Sequence, residues 1–183
     1  MIILITGGTR SGKSSYGEER LNMEEDILYL ATATITDDEM KRRVEHHQKR
    51  RGEKYQTLEG YKDMDKSIQM SSCHHTILDC VGTTITNILF ERCSDLDHIN
   101  QEEAERIEKE ILDYFQKIIE SMKTKLGKQV IITNEVGMSL VSEYRLGRVF
   151  TDILGRVNQY IARQADEVVL MVSGIPVNIS RKS

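Results

Sequence analysis

The chain has 183 residues, 39% of them hydrophobic and 30% charged, with a formal net charge of −4 from 29 acidic and 25 basic side chains. This composition excludes a solvated disordered chain, and the acidic balance argues against a protein whose main affinity is for nucleic-acid phosphates. No apolar run approaches the ~18 residues of a membrane span, and no secretion leader is read at the N-terminus.

Cys73, Cys80 and Cys93 suggest neither a disulfide framework nor a zinc ribbon. The expectation is a single cytoplasmic domain over residues 1–183, with no linker, repeat or low-complexity tract.

In chain order, an apolar strand is predicted over 2–6. Gly7-Gly8-Thr9-Arg10-Ser11-Gly12-Lys13-Ser14 follows it and fits G-x-x-x-x-G-K-[ST], and a helix is predicted over 13–22. Strand, glycine-rich turn and helix together form the context a phosphate-binding loop needs. Backbone N–H groups would point at phosphate oxygens, Lys13 would reach the β- and γ-phosphates, and Ser14 would ligate Mg²⁺.

A second strand is predicted over 27–32 and a helix over 37–51. That helix opens with Asp37, Asp38 and Glu39 and ends in bases, which complements its dipole. Met40, Val44 and His47 share one stripe, whereas His46 is flanked at three- and four-residue steps by Arg42, Arg43, Lys49 and Arg50. An imidazole among cations stays neutral, as a nitrogen nucleophile must, and Arg43 and Arg50 would clamp phosphates. Periodicity alone also fits a solvated basic face with an incidental histidine.

A minor strand is predicted over 55–58 and a buried one over 76–80. Asp79 ends that strand where an acid for phosphate-bound Mg²⁺ is expected, or where it would cap the next helix. Cys73-His74-His75 lacks a fourth ligand at matching spacing, so no metal site is expected there. Helices follow over 83–92 and 101–126, the second with Ala104, Ile107, Ile111, Phe115, Ile118 and Met122 on one face. A strand over 129–133 leads to Glu135, which competes with Asp79 for the metal or would bind substrate. A helix over 146–165, a strand over 167–172 and a minor C-terminal strand complete the chain. This alternation predicts an α/β fold, a mostly parallel sheet flanked by helices.

Several of these segments together resemble the bifunctional adenosylcobinamide kinase and adenosylcobinamide-phosphate guanylyltransferase family of cobalamin assembly. The resemblance rests on the phosphate loop, on Tyr29-Leu30-Ala31-Thr32-Ala33, and on Asp37 to Met40 with Arg43, His46 and His47. Asp79-Cys80, Thr86-Asn87, Thr133 to Met138 and several positions from Gly147 to Val168 extend it over nearly the whole chain. The chain departs from the family pattern at Ser139, Ser142 and Tyr55, where glycine, proline and tryptophan are usual.

The resemblance implies a P-loop (RecA-like) fold, a homotrimer, and two reactions on a corrinoid. One phosphorylates adenosylcobinamide with ATP or GTP; the other transfers GMP from GTP to the phosphorylated corrinoid through a guanylylated histidine, which matches His46. It also implies nucleotide contacts by Gly7 to Ser14, Ser15, Arg43, Arg50, Glu59 and Asp79, and no nucleic-acid partner. Two other readings remain at this point: a P-loop kinase for another small molecule, and a RecA-like nucleotide-switch or DNA-binding ATPase.

Overall fold

The computed structural model describes residues 1–33, 54–95 and 98–180. The expected helix over 37–51, with Arg43, His46 and Arg50, lies outside the described residues.

Among the described residues seven strands form one sheet: β1 (Ile2–Gly7), β2 (Ile27–Ala31), β3 (Tyr55–Glu59), β4 (His75–Asp79), β5 (Gln129–Ile132), β6 (Glu167–Val172) and β7 (Ile175–Asn178). Their spatial order is β3-β2-β4-β5-β1-β6-β7, and every pairing is parallel except that of β6 with β7. β1 and β5 are buried along their whole length, as apolar parallel strands covered on both faces are.

The described helices are α1 (Lys13–Glu19), α2 (Met64–Met70), α3 (Val81–Arg92), α4 (Gln101–Lys123) and α5 (Arg145–Gln164). Alternate strand residues feed two cores. Ile3, Ile5, Tyr29, Ile77 and Val130 pack on the side of α1, while Ile2, Leu4, Leu30, Leu78 and Ile131 pack on the side of the other four helices. The stripe expected on α4 is buried, and Asn100 starts that helix by accepting the Glu103 N–H at 2.8 Å. Burial of each large side chain in that stripe contributes about 1.5–3 kcal/mol.

The differences from expectation have local causes. The helix expected over 13–22 stops at Glu19, because its last turn tightens to i→i+3 bonds from Leu21 to Glu18 and from Asn22 to Glu19. The helix over 101–126 stops at Lys123 in the same way, through bonds from Thr124 to Ser121 and from Lys125 to Met122. α2 was missed because its seven residues bury only Met64 and Ile68, too few turns to declare a period. The minor strand near 55–58 is a full parallel partner of β2. β6 is only partly buried, being followed only by the exposed edge strand β7, which accommodates Pro176.

Candidate active site

The phosphate loop is shaped by two glycines that no other residue replaces cheaply. Gly7 ends β1 at φ 151°, where a Cβ would sit 2.5 Å from the Met171 carbonyl oxygen and 2.8 Å from Ser11 Oγ. Gly12 caps α1 at φ 92°, a left-handed conformation. Between them the loop folds back, with Ser11 N–H donating to the Gly8 carbonyl, and it is tied down from outside by Glu135 N–H to Gly7 and Gly174 N–H to Ser11. Gly8, Thr9 and Arg10 are exposed, whereas Ser11 is buried with its hydroxyl unpartnered among the described residues. Ser14, half-buried, and Ser15, exposed, lie in the first turn of α1, where the helix dipole is positive.

Lys13 opens that helix but turns inward. Only 8% of it is exposed, and Nζ donates to the Gly8 carbonyl at 2.7 Å, across the interior of the loop. Burial pulls its ammonium below the usual lysine range, and the negative charge of Asp79 partly offsets that pull. The structure therefore brings Lys13 and Asp79 into electrostatic reach of each other although 66 positions separate them in the sequence.

Asp79 ends β4, two strands away from β1, and it is held from several directions. Tyr29 donates its phenol to Asp79 Oδ2 at 2.7 Å. Thr32 donates its N–H to the Asp79 carbonyl, and its hydroxyl accepts the Cys80 N–H at 2.8 Å. The same hydroxyl lies 3.0 Å from the carbonyls of both Asp79 and Cys80. Asn87, on α3, donates to the Thr32 carbonyl at 3.0 Å. The residue capping α3 is Cys80, which makes no side-chain cap bond, so Asp79 does not serve as the helix cap. Burial and the Asp79 charge push the Cys80 thiol upward, so it stays protonated and inert, hydrogen-bonded to Thr83 at 3.1 Å.

Glu59 lies in the same cross-sheet row. Ala31 is the register partner of both Glu59 and Asp79, so the two acids stand on either side of β2, about 10 Å apart at Cα. Glu59 is exposed at the sheet edge. Glu135 occupies the other flank of the loop, where its Oε1 accepts the Gly137 N–H at 2.8 Å. With Arg10, Met138 and Leu170 it lines a cleft of about 420 Å³ beside the phosphate loop. Asp79 acts electrostatically on the loop's ammonium, and Glu135 lines the cleft on the loop's other flank.

Cys73 is buried against Gln56, and His75 accepts the Lys128 N–H while facing Glu24. Among the described residues no group of three or more His, Cys, Asp or Glu side chains is arranged to hold a metal ion.

The profile of the family described as cobinamide kinase / cobinamide phosphate guanyltransferase, CobU, matches residues 3–179 of this chain. The chain belongs to that family. The bifunctional adenosylcobalamin biosynthesis protein CobU of Escherichia coli strain K12 is 42% identical over 98% of this chain and 99% of its own. Its namesake from Salmonella typhimurium strain LT2 has the same identity and coverage. The bifunctional adenosylcobalamin biosynthesis protein CobP of Pseudomonas aeruginosa is 30% identical over 95% of this chain and 94% of its own. Among solved structures, a KaiC-like protein from Pyrococcus horikoshii OT3 superposes with a TM-score of 0.50 over 92% of this chain and 69% of that one, at 13% identity, a likeness of fold alone. As a CobU family member the chain is a cobinamide kinase and cobinamide phosphate guanyltransferase of cobalamin biosynthesis, which sets aside a kinase for an unrelated small molecule and a DNA-binding ATPase.

The polar residues that hold Asp79 were not recognised as such in the sequence. Tyr29 read as one more strand residue and Thr32 as a strand end. The available signal was a hydroxyl-bearing aromatic in an otherwise apolar buried strand, since a buried phenol needs a partner.

Proposed function

We propose that a single nucleotide site, centred on Lys13, serves both reactions of this CobU family enzyme. The observation that carries the reading is the buried Lys13 ammonium, lodged inside a glycine-shaped loop and within electrostatic reach of Asp79. A point charge fixed inside a ring of backbone N–H groups is suited to the β- and γ-phosphates of ATP or GTP. In the kinase step a hydroxyl of adenosylcobinamide attacks the γ-phosphorus, the bond to the β-phosphate oxygen breaks, and the nucleoside diphosphate leaves.

In the transfer step an imidazole nitrogen of His46 attacks the α-phosphorus of GTP. A P–N bond forms, the bond to the β-phosphate oxygen breaks, and pyrophosphate departs. A phosphate oxygen of adenosylcobinamide phosphate then attacks the same phosphorus, frees the histidine and gives adenosylcobinamide-GDP. Two things support His46 over His47: its cationic helical neighbours and its match to the family nucleophile. Thr32 is bonded to the Asp79–Cys80 backbone. Arg43, Arg50, Ser15 and Glu59 complete the proposed nucleotide contacts.

The donor set fits Mg²⁺. Ser14 and Asp79 offer a hydroxyl and a carboxylate, hard oxygen ligands, and Mg²⁺ usually takes one or two such protein groups with phosphate oxygens and water. Bound there, the ion would neutralise charge on the phosphates. We place the reaction in the cytoplasm and in a homotrimer. No described helix is long and apolar enough to cross a membrane. Leu140, Val141 and Tyr144, all strongly exposed beside the loop's flank, give apolar surface for another copy to cover.

The test is incubation with α-labelled and γ-labelled GTP, with and without adenosylcobinamide. The reading expects γ-label on the corrinoid and α-label first on protein and then on the corrinoid. A corrinoid that acquires neither label contradicts it.

A further inference from the structure

We propose that Tyr29 is a positioning residue for the acid end of the site, holding the Asp79 carboxylate so that its free oxygen meets the cation on the nucleotide phosphates. The proposal rests on the reading of Asp79 as that cation's acid.

Tyr29 has no exposed surface. Its ring packs in the α1-side core with Ile27 and Ile77 and meets the Tyr55 ring edge-on, with centroids 6.1 Å apart and planes at 75°. Phenylalanine would fill the same space, so packing alone does not explain a buried hydroxyl there. The register sets Tyr29 opposite Ile77 on β4, and the phenol therefore reaches two residues along the neighbouring strand to Asp79 Oδ2, at 2.7 Å. One carboxylate oxygen is thereby occupied, and Oδ1 is left as the ligand atom.

The bond also keeps two opposite charges apart. Lys13 donates to the Gly8 carbonyl at 2.7 Å while Asp79 accepts from Tyr29 at 2.7 Å, so each is held by a partner other than its counter-ion. A carboxylate released from the phenol would lose the orientation that presents its free oxygen to the cation. The backbone of Asp79 is fixed independently by Thr32, which leaves side-chain rotation as the freedom Tyr29 removes.

The experiment measures Mn²⁺ affinity by electron paramagnetic resonance in the presence of a non-hydrolysable GTP analogue, for the full chain and for Tyr29→Phe, Asp79→Asn and the double variant. Tyr29→Phe deletes one oxygen and keeps the ring contact with Tyr55, and thermal unfolding checks that each variant is folded. Loss of a residue that orients a metal ligand weakens metal binding about tenfold, and that is the expected effect of Tyr29→Phe. Asp79→Asn should weaken it more, and the double variant should match Asp79→Asn alone, since Tyr29 acts only through Asp79.

Unchanged Mn²⁺ affinity in Tyr29→Phe beside a weakened Asp79→Asn overturns the role of Tyr29 while leaving that of Asp79 intact. Unchanged affinity in Asp79→Asn overturns the reading of Asp79 and this proposal with it. A double variant weaker than Asp79→Asn by the full Tyr29→Phe factor shows that Tyr29 acts elsewhere, and also overturns the proposal.

Discussion

The phosphate loop and the acid end, which we propose serve one nucleotide site, are built in opposite ways. The loop is one contiguous stretch whose form is dictated by glycine dihedrals and by the start of a helix. The acid end is assembled from Tyr29 and Thr32 on one strand and its extension, Asp79 on another, and Asn87 on a helix. A contiguous device carries its own structural information, so it survives transfer between proteins as a motif. An assembled device exists only once the sheet has set its register, and a slip of one residue would turn the Asp79 side chain to the other face.

The comparison can be pressed first where the loop has its only buried charge. Lys13→Ala should lower both phosphoryl and guanylyl transfer by about a thousandfold or more, the scale of removing a preorganised charge from a transferring phosphoryl group. Far-UV circular dichroism should be unchanged. Turnover within tenfold of the parent would remove the loop from the chemistry.

Gly7→Ala tests the loop's geometry without touching charge. A methyl group at φ 151° would press on the Met171 carbonyl oxygen, and Met171 lies on β6, directly paired with Gly7. A loss on the order of 2 kcal/mol in urea unfolding is expected, the cost of a non-glycine residue forced into such a conformation. A smaller loss, on the order of 1 kcal/mol, is expected at the acid end for Thr32→Val, which keeps the shape but leaves the buried Cys80 N–H without its acceptor. If Thr32→Val proves costlier than Gly7→Ala, the acid end is the more rigid of the two regions.

These contrasts account for what was legible in the sequence. The loop could be read residue by residue, because eight consecutive positions carry the whole signal. Five main strands could be read because each is a short apolar run, and α4 because its stripe repeats over about five turns. Asp79 was legible as a strand-end acid, but its placement beside Lys13 depends on the β4-β5-β1 order, which no local pattern encodes. Tyr29 and Thr32 were hidden for the same reason: each hydroxyl finds its partner across a strand pair, 50 and 48 positions away. α2 was hidden by brevity, with two buried residues standing in for a period.

The base of α1 supplies the smallest expected effect. Arg20 meets Glu167 in a two-point ion pair at 2.7 Å and 2.7 Å, joining α1 to β6. The Arg20 hydrogen bond holds the Glu167 carboxyl below the usual range, so the pair's stabilisation is present above pH ~4.5 and is lost as pH falls through the lowered value. Glu167→Gln should cost about 1 kcal/mol at pH 7 and flatten that acid limb, as followed by urea unfolding at several pH values. An unchanged acid limb would mean that the loop helix is anchored by packing alone.

The central functional claim is that GMP passes through His46. The direct measurement is covalent labelling of the protein by α-labelled GTP, followed by peptide mapping, in the parent chain and in His46→Asn and His47→Asn. The expected result is an acid-labile, alkali-stable adduct on the peptide holding His46, lost in His46→Asn while GTP binding persists, and retained in His47→Asn. An adduct that survives in His46→Asn, or one that maps to Lys13 or another residue, would contradict it.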